Sequence, residues 1–421
     1  MFNESVNRKN DTLIFSKKSE ELKLDNLIQI KIESDRDVYK NAFAVAIPGT
    51  DGQKGMGIAA AIGLYCDPGK KLNLFKDINE NIVKKANKIL DSGRITISYL
   101  EKQEKKPHLD IQVTLKYKIK DKVFTSYVRV QDEHDNITII QINDEKLYEG
   151  SRKLETHERE EFPETIEELI EIIKSMSLKE KELVYEGILM NKAVAEKGLK
   201  EEYGQNIGKI LQILAKKDGT EHSLIMQGRI KSAAAADARM GGCNLPVMST
   251  SGSGNQGITA LVPIAVIGEL KQINYNKICE AALLSHLITK MTHLYSTHLS
   301  ALCGCAIKAG IGATAGICYL INGSVEQIHN AINLLAANIT GIICDGAKAG
   351  CALKLSTAAG VAIESALMAL EGVKIPTDNG IIYSRAEDTI KAIGKISDSM
   401  VETDFTILEI IQQKALKNRK N

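Results

Sequence analysis

The chain changes its hydrophobic rhythm twice. Over residues 18–40, "SEELKLDNLIQIKIES" mixes charged and apolar positions, which predicts one helix. "NAFAVAIPGTDGQKGMGIAAAIGLYCDPG" then turns to small residues. Pro48-Gly49-Thr50-Asp51-Gly52 is a turn signal, because Pro fixes φ and Gly supplies φ > 0. "MGIAAAIGLYC" predicts a small-residue helix opening near Gly55, and "DINENIVKKANKILDS" predicts another.

Residues 93–150 alternate with period two. "RITISYL", "LDIQVTLKYKI", "KVFTSYVRVQD" and "NITIIQIN" predict an antiparallel sheet of three or four strands, with polar turns at "KIKDKV" and "DEHDN". From about residue 160 the period becomes helical. "TIEELIEIIKSM" follows Pro163, and "KEKELVYEGILMNKAVAEKGL" and "IGKILQILAKK" continue it. Beyond Gly228 the helices fill with Ala and Gly: "RIKSAAAADARM", "IKAGIGATAGICYLI", "AGCALKLSTAAGVAIESALMALEG". Small residues let backbones approach closely, so a compact helical bundle is expected. The fold class is therefore α+β: a small antiparallel β-sheet domain plus a larger, mainly α-helical C-terminal domain. The boundary is expected at 160/161, with a β-rich insert at about 93–150.

A length of 421 residues suggests two or three domains, and 44% hydrophobic residues can build a sizeable core. The 54 basic residues nearly balance 53 acidic ones, Trp is absent and aromatics are 5%. Nothing in that balance asks for a nucleic-acid partner or an anionic membrane. "MFNESVNRKNDTLIF" lacks the apolar core of a signal peptide, and the apolar run "GITALVPIAVIG" is too short to span a bilayer. A cytoplasmic protein is expected, with its eight cysteines mostly reduced.

The stretch "MSTSGSGNQGIT" (248–259) alternates glycines with small donors. It lacks the Lys of a phosphate loop, and "IPGTDGQKGMG" has Lys54 at the wrong spacing with no Ser or Thr after it. A dinucleotide fingerprint needs a preceding strand, which "GGCNLPVM" does not offer. A small carboxylate is the natural guest. "GITALVPIAVIG" is a helix candidate whose start Pro263 limits, and a loop entering a helix offers unpaired N–H groups and a positive dipole end. Ser251, Ser253, Asn255 and Gln256 add donors. The competing reading is a tight turn whose glycines only allow close packing.

Cysteines stand at 66, 243, 279, 303, 305, 318, 344 and 351. Cys279 and Cys318 lie in apolar helical contexts and read as core. Cys303-Gly-Cys305 and Cys344-x6-Cys351 stand out, and no C-x2-C zinc spacing occurs. Three thiolates from two loops suit an iron–sulfur cluster with one open iron, a Lewis acid for a substrate oxygen or sulfur. Buried unligated thiols are the alternative. Asp345 is expected to cap the Ala-rich helix that follows it, Lys348 to pair with a carboxylate or activate a thiolate, and Lys354 to reach the same cavity. His286, His293 and His298 fit no metal spacing and read as helical surface or satisfied core residues.

Taken together, "MGGCNLPVMSTSGSGNQGI", "LCGCAIKAGIGATAGICYL" and "ITGIICDGAKAGCALKLST" resemble the iron–sulfur-dependent serine dehydratase alpha-type proteins, in the branch that includes L-cysteine desulfidase. The segments occur in order over roughly 240–360, and "IPGT" near residue 48 extends the likeness. The resemblance implies pyridoxal-free β-elimination on a small L-amino acid, with L-cysteine giving pyruvate, ammonia and sulfide, or L-serine giving pyruvate and ammonia. It implies a [4Fe–4S] cluster on Cys303, Cys344 and Cys351, with Cys305 as alternative to Cys303. Ser251, Ser253, Gly254, Asn255 and Gln256 would take the substrate carboxylate.

The desulfidase has a cysteine in a Gly-Cys-Thr-Glu-Pro-like segment, where this chain reads "AIPGTDG" without one. Thr50 is the substrate-binding candidate there, and Asp51 and Lys54 join Lys348 as catalytic candidates. The missing thiol motivates a second expectation, a non-catalytic amino-acid-binding or sensing protein. The small-residue surfaces are compatible with a homodimer.

Overall fold

The computed structural model describes residues 6–9, 12–15, 24–100, 109–119, 121–152, 162–296 and 301–418, with backbone alone at 6–9, 12–15, 71–72 and 415–418. The chain falls into two compact units, Met1–His157 and Glu158–Asn421. The boundary expected at 160/161 lies outside the described residues.

In the first unit, strands β1 (Val6–Lys9) and β2 (Thr12–Phe15) form a hairpin. The main sheet has six strands: β3 (Leu27–Ser34), β4 (Ile95–Tyr99), β5 (Asp110–Ile119), β6 (Lys122–Gln131), β7 (Ile137–Ile142) and β8 (Glu145–Glu149), in the order β4-β3-β5-β6-β7-β8. The four strands read from alternation are β4 to β7. The sheet is mixed rather than antiparallel throughout, because β3 pairs parallel with β4. A parallel pair needs a long crossover, and helices Arg36–Ala42, Met56–Gly63 and Glu80–Asp91 supply it.

The single helix expected over 18–40 is corrected. Residues 19–23 lie outside the described residues, and Leu27–Ser34 is a strand with Ile30 and Ile32 buried two residues apart. That spacing is the strand period. Those two residues meet Ile58, Ile62 and Ile89 of the crossover helices in one core.

The second unit is helical. Ile166–Ser175 and Leu178–Lys200 each open with a capping box, at Thr165 with Glu168 and at Ser177 with Glu180. Helices Ile207–Lys217, Leu224–Met240, Gly254–Leu270, Tyr275–Leu294, Lys308–Leu320, Val325–Ile339, Cys351–Leu370, Ala386–Ser399 and Val401–Asn418 follow. Gly198 shows why small residues crowd here: a Cβ at that position would collide with the backbone carbonyl of Ala234. Every described residue of Lys308–Leu320 is buried. Cys351–Leu370 is long and apolar enough to cross a bilayer by length and composition. It packs against Leu224–Met240, with Leu355, Ala358, Ala362 and Ile363 buried.

Candidate active site

The Ser–Gly loop is a tight turn that delivers a helix. Thr250 and Ser253 exchange backbone hydrogen bonds (3.1 and 3.0 Å), with Ser251 at φ +47° and Gly252 at φ +75° between them. Two successive positive φ values are the type I′ signature, which explains Gly at the second position. Ser253 caps Gly254–Leu270, its Oγ accepting the Gln256 N–H at 3.4 Å. The helix carries Pro263 in its interior and still starts nine residues earlier at Gly254, so Pro263 does not set the start.

The loop glycines are tightly packed, as the close-packing reading expects. A Cβ at Gly257 would collide with the Met248 carbonyl, a packing constraint. A Cβ at Gly254 would collide with Arg239 Nε, so this glycine seats a cation against the first turn of the helix. Arg239 comes from Leu224–Met240, and its Nη1 donates to Asn255 Oδ1 at 3.0 Å. Burial pulls its guanidinium below the ordinary range, opposed by the thiols of Cys305 and Cys351. The sequence reading missed Arg239, since an arginine within "AAAADARM" carries no local sign of what it faces.

Thr250 Oγ1 and His286 Nδ1 stand 2.7 Å apart. Burial pushes His286 down to about 4, so the ring is neutral, and its Nδ1 shares a hydrogen bond with the Thr250 hydroxyl. That matches the expectation of a satisfied histidine. His293 is buried in the same helix, and His298 lies outside the described residues. Gln256 and Ser251 differ from Thr250: Gln256 Oε1 and Ser251 Oγ are buried without a hydrogen-bond partner.

The cysteine loops meet this turn. Ser253 Oγ lies 4.0 Å from Cys305 Sγ, and a Cβ on Gly304 would meet Gln256 Nε2 at 3.1 Å. Cys303 N–H donates to Ile342 O (2.9 Å), Cys344 N–H donates to Ala301 O (2.6 Å), and Leu302 bridges Ile343. The Cys303 thiol interacts with both Cys305 and Cys344. Cys305 and burial push it up to about 12, with Cys344 pulling the other way. Cys351 is the first residue of its helix and is buried, and burial raises its thiol. Cys279 and Cys318 are fully buried in the core, as expected.

Asp345 does not cap a helix. Gly350 occupies the N-cap of Cys351–Leu370, without a side-chain hydrogen bond. Asp345 instead pairs with Lys348 and with Lys354, whose Nζ is 2.6 Å away and also donates to Ile343 O at 2.8 Å. Partial burial opposes ionisation, but the two lysines hold the Asp345 carboxyl down at about 2. Lys354 lies in the field of Cys303 and Cys344, and both lysines in that of Cys351.

Thr50, Asp51 and Lys54 belong to the first unit. Thr50 is buried, and its hydroxyl donates to Ile47 O at 2.6 Å, inside its own turn. Asp51 is exposed at φ +51°, and Lys54 bridges Ala46.

Among the described residues, the group whose ligand atoms all lie within 4.8 Å of one another is Glu167, His329 and Glu387, not the cysteines. The Cys303 thiol does meet those of Cys305 and Cys344, and thiols are the donors that iron–sulfur clusters take. The Glu167–His329–Glu387 group is an ion-pair clasp. The Ala386 N–H donates to His329 Nδ1 (3.1 Å), and Arg385 Nη2 pairs with Glu167 (2.8 Å) and Glu387 (3.0 Å).

Comparison with known proteins gives the family. The family model described as serine dehydratase alpha chain matches residues 69–409. A UPF0597 protein of Caldanaerobacter subterraneus subsp. tengcongensis is 39% identical over 92% of this chain and 89% of its own length. UPF0597 proteins of Desulfatibacillum aliphaticivorans (36%, over 91% and 89%) and Clostridioides difficile strain 630 (35%, over 94% and 92%) are similar along nearly their whole length. With the match running from the sheet unit through the cysteine loops into the last helix, this chain belongs to the serine dehydratase alpha chain family.

Proposed function

We propose that this chain is a carbon–sulfur or carbon–oxygen lyase performing pyridoxal-free β-elimination on a small L-amino acid, L-cysteine or L-serine. The observation that carries the proposal is the meeting of the Ser251–Gln256 turn with the Cys303/Cys305 and Cys344 loops, through Ser253–Cys305 and Gln256–Gly304. Cys303, Cys344 and Cys351 would hold a [4Fe–4S] cluster, with Cys305 as alternative to Cys303. Such a cluster supplies a Lewis acid at the iron that lacks a protein sulfur, which favours departure of a thiol or hydroxyl.

The chain's own residues do the rest. The first turn of Gly254–Leu270, with Ser251, Ser253 and Asn255, binds and orients the substrate carboxylate, and Gln256 lines the same substrate site. Lys354, fixed by Asp345, places positive charge beside the thiols and favours their thiolate form. Removal of the α-proton with departure of the β-thiol or β-hydroxyl gives an enamine, which tautomerises to the imine and is hydrolysed by water to pyruvate and ammonia. Its acceptor is assigned to the set Lys348, Asp51 and Lys54, of which Lys348 lies beside the cysteine loops. Reduced thiols suit a cytoplasmic setting, and none of the eight cysteines is in a disulfide.

The test is pyruvate formation from L-cysteine and L-serine by protein reconstituted anaerobically with iron and sulfide. Pyruvate from either amino acid is expected. Amino-acid binding without pyruvate supports the second reading, a binding or sensing protein, which the thiol-free turn at Thr50 favours.

A further inference from the structure

Arg239 is a half-buried cation with no carboxylate paired to it among the described residues. It touches Gly254 and donates to Asn255 Oδ1, a neutral acceptor. The ionisable groups that face it are the thiols of Cys305 and Cys351, and among the described residues no carboxylate pairs with it. A guanidinium stays charged in proteins. A half-buried cation without a carboxylate partner is complementary to an anion that arrives. The unpaired N–H groups at the start of Gly254–Leu270 add positive potential on the same spot. A second observation points to a ligand with an opposite end. Gln256, two residues along, is 5% exposed, and its Oε1 has no hydrogen-bond partner. A buried amide oxygen without a donor is complementary to an N–H group.

We infer that Arg239 is the anchor for the ligand's α-carboxylate and that Gln256 Oε1 receives its α-ammonium, so that the site selects free α-amino acids. The inference rests on the lyase reading for the location of the substrate, and it narrows the substrate class. Amides and esters of the same amino acids lack the anion and are excluded. Arg239 acts on the carboxylate end, distant in the substrate from the leaving group, so its contribution falls on binding. Bidentate geometry makes lysine an incomplete replacement.

The experiment is titration calorimetry with L-alanine, which has no β-leaving group, against L-alaninamide, on anaerobically reconstituted parent, R239K and R239Q. Iron and sulfide are measured in each, together with pyruvate from L-serine and L-cysteine. The parent is expected to bind L-alanine at least about tenfold more tightly than the amide, R239K to weaken L-alanine about tenfold or more, and R239Q to abolish the preference. Iron content is expected to match the parent in R239K. Equal binding of alanine and amide by the parent overturns the inference, as does binding of neither. So does a preference that survives in R239Q. Loss of iron in R239K with its alanine affinity unchanged also overturns it, since Arg239 is then a counter-ion to the thiolates. An Arg239-dependent preference in a protein that forms no pyruvate leaves the anchor standing and removes the lyase reading. Q256L supplies a separate arm: it is expected to weaken L-alanine while leaving binding of propionate, which has no ammonium, within about twofold. Equal loss for both ligands overturns the role of Gln256.

Discussion

Cys303 and Cys344 lie more than forty positions apart in the chain, yet a two-rung backbone bridge ties them: Cys303 N–H to Ile342 O and Cys344 N–H to Ala301 O. The bridge fixes both Cα positions without using either thiol. The sulfurs are therefore free of structural duty in the backbone pairing. Replacing Cys303 or Cys344 with Ser should cost little in folding, within about 1–2 kcal/mol by denaturant unfolding, while abolishing pyruvate formation. Cys318→Ser reverses that pattern: it places a hydroxyl in a fully buried apolar site, destabilises by about 1–3 kcal/mol, and leaves the iron content unchanged.

Gly257 and Gly254 separate fold from site. Gly257→Ala drives a methyl into the Met248 carbonyl and should destabilise the helical unit by about 3 kcal/mol or more. Gly254→Ala drives it into two side chains, Arg239 and Val247, rather than into backbone, so side-chain shifts can relieve it. That variant should unfold near the parent midpoint and bind L-alanine about tenfold more weakly. Urea unfolding alongside calorimetry checks both.

His286 makes stability pH-dependent. Its folded value, about 4, lies below the ordinary 6.5 because burial disfavours the charged ring. Between those values the unfolded chain binds a proton that the folded chain does not, so stability falls as pH drops from about 6.5 toward 4. The loss is on the order of 2–3 kcal/mol. In His286→Gln, urea midpoints measured at pH 7.5 and 5 should differ by less than in the parent. An unchanged difference assigns the acid sensitivity elsewhere.

The α-proton acceptor is separable by three variants. Lys348→Ala, Asp51→Asn and Lys54→Ala should include one whose kcat falls about 10²- to 10⁴-fold with substrate binding retained. Asp345→Asn tests the lysine scaffold instead. Its pairs are partly exposed, so folding should change by less than about 1 kcal/mol, while kcat/KM drops because Lys348 and Lys354 lose their common anchor.

Much of this was legible before any coordinates, for identifiable reasons. Residues 110–142 alternate apolar and polar positions, and the strands fall where that alternation placed them. Leu27–Ser34 alternates too, but Lys and Glu on both sides of it masked the period, and its parallel partner β4 lies more than sixty residues away. No local pattern states such a pairing. Small residues around Cys303, Cys344 and the Ser–Gly turn were visible as motifs, and the structure brings those loops together. Arg239 was not visible, because its role comes from a neighbour fifteen residues on, Gly254, whose missing side chain makes the room. Asp345 looked like a cap because Asp favours that position. Two lysines, three and nine residues later, compete for it and win through full charge.

The central claim is that the Cys303, Cys344 and Cys351 sulfurs together hold iron. Iron and acid-labile sulfide per chain, measured after anaerobic reconstitution in the parent and in Cys344→Ser, test it most directly. The account predicts about four irons and four sulfides in a brown parent and a colourless variant that remains folded. A colourless parent, or a variant that retains the parent's full iron and sulfide, contradicts it.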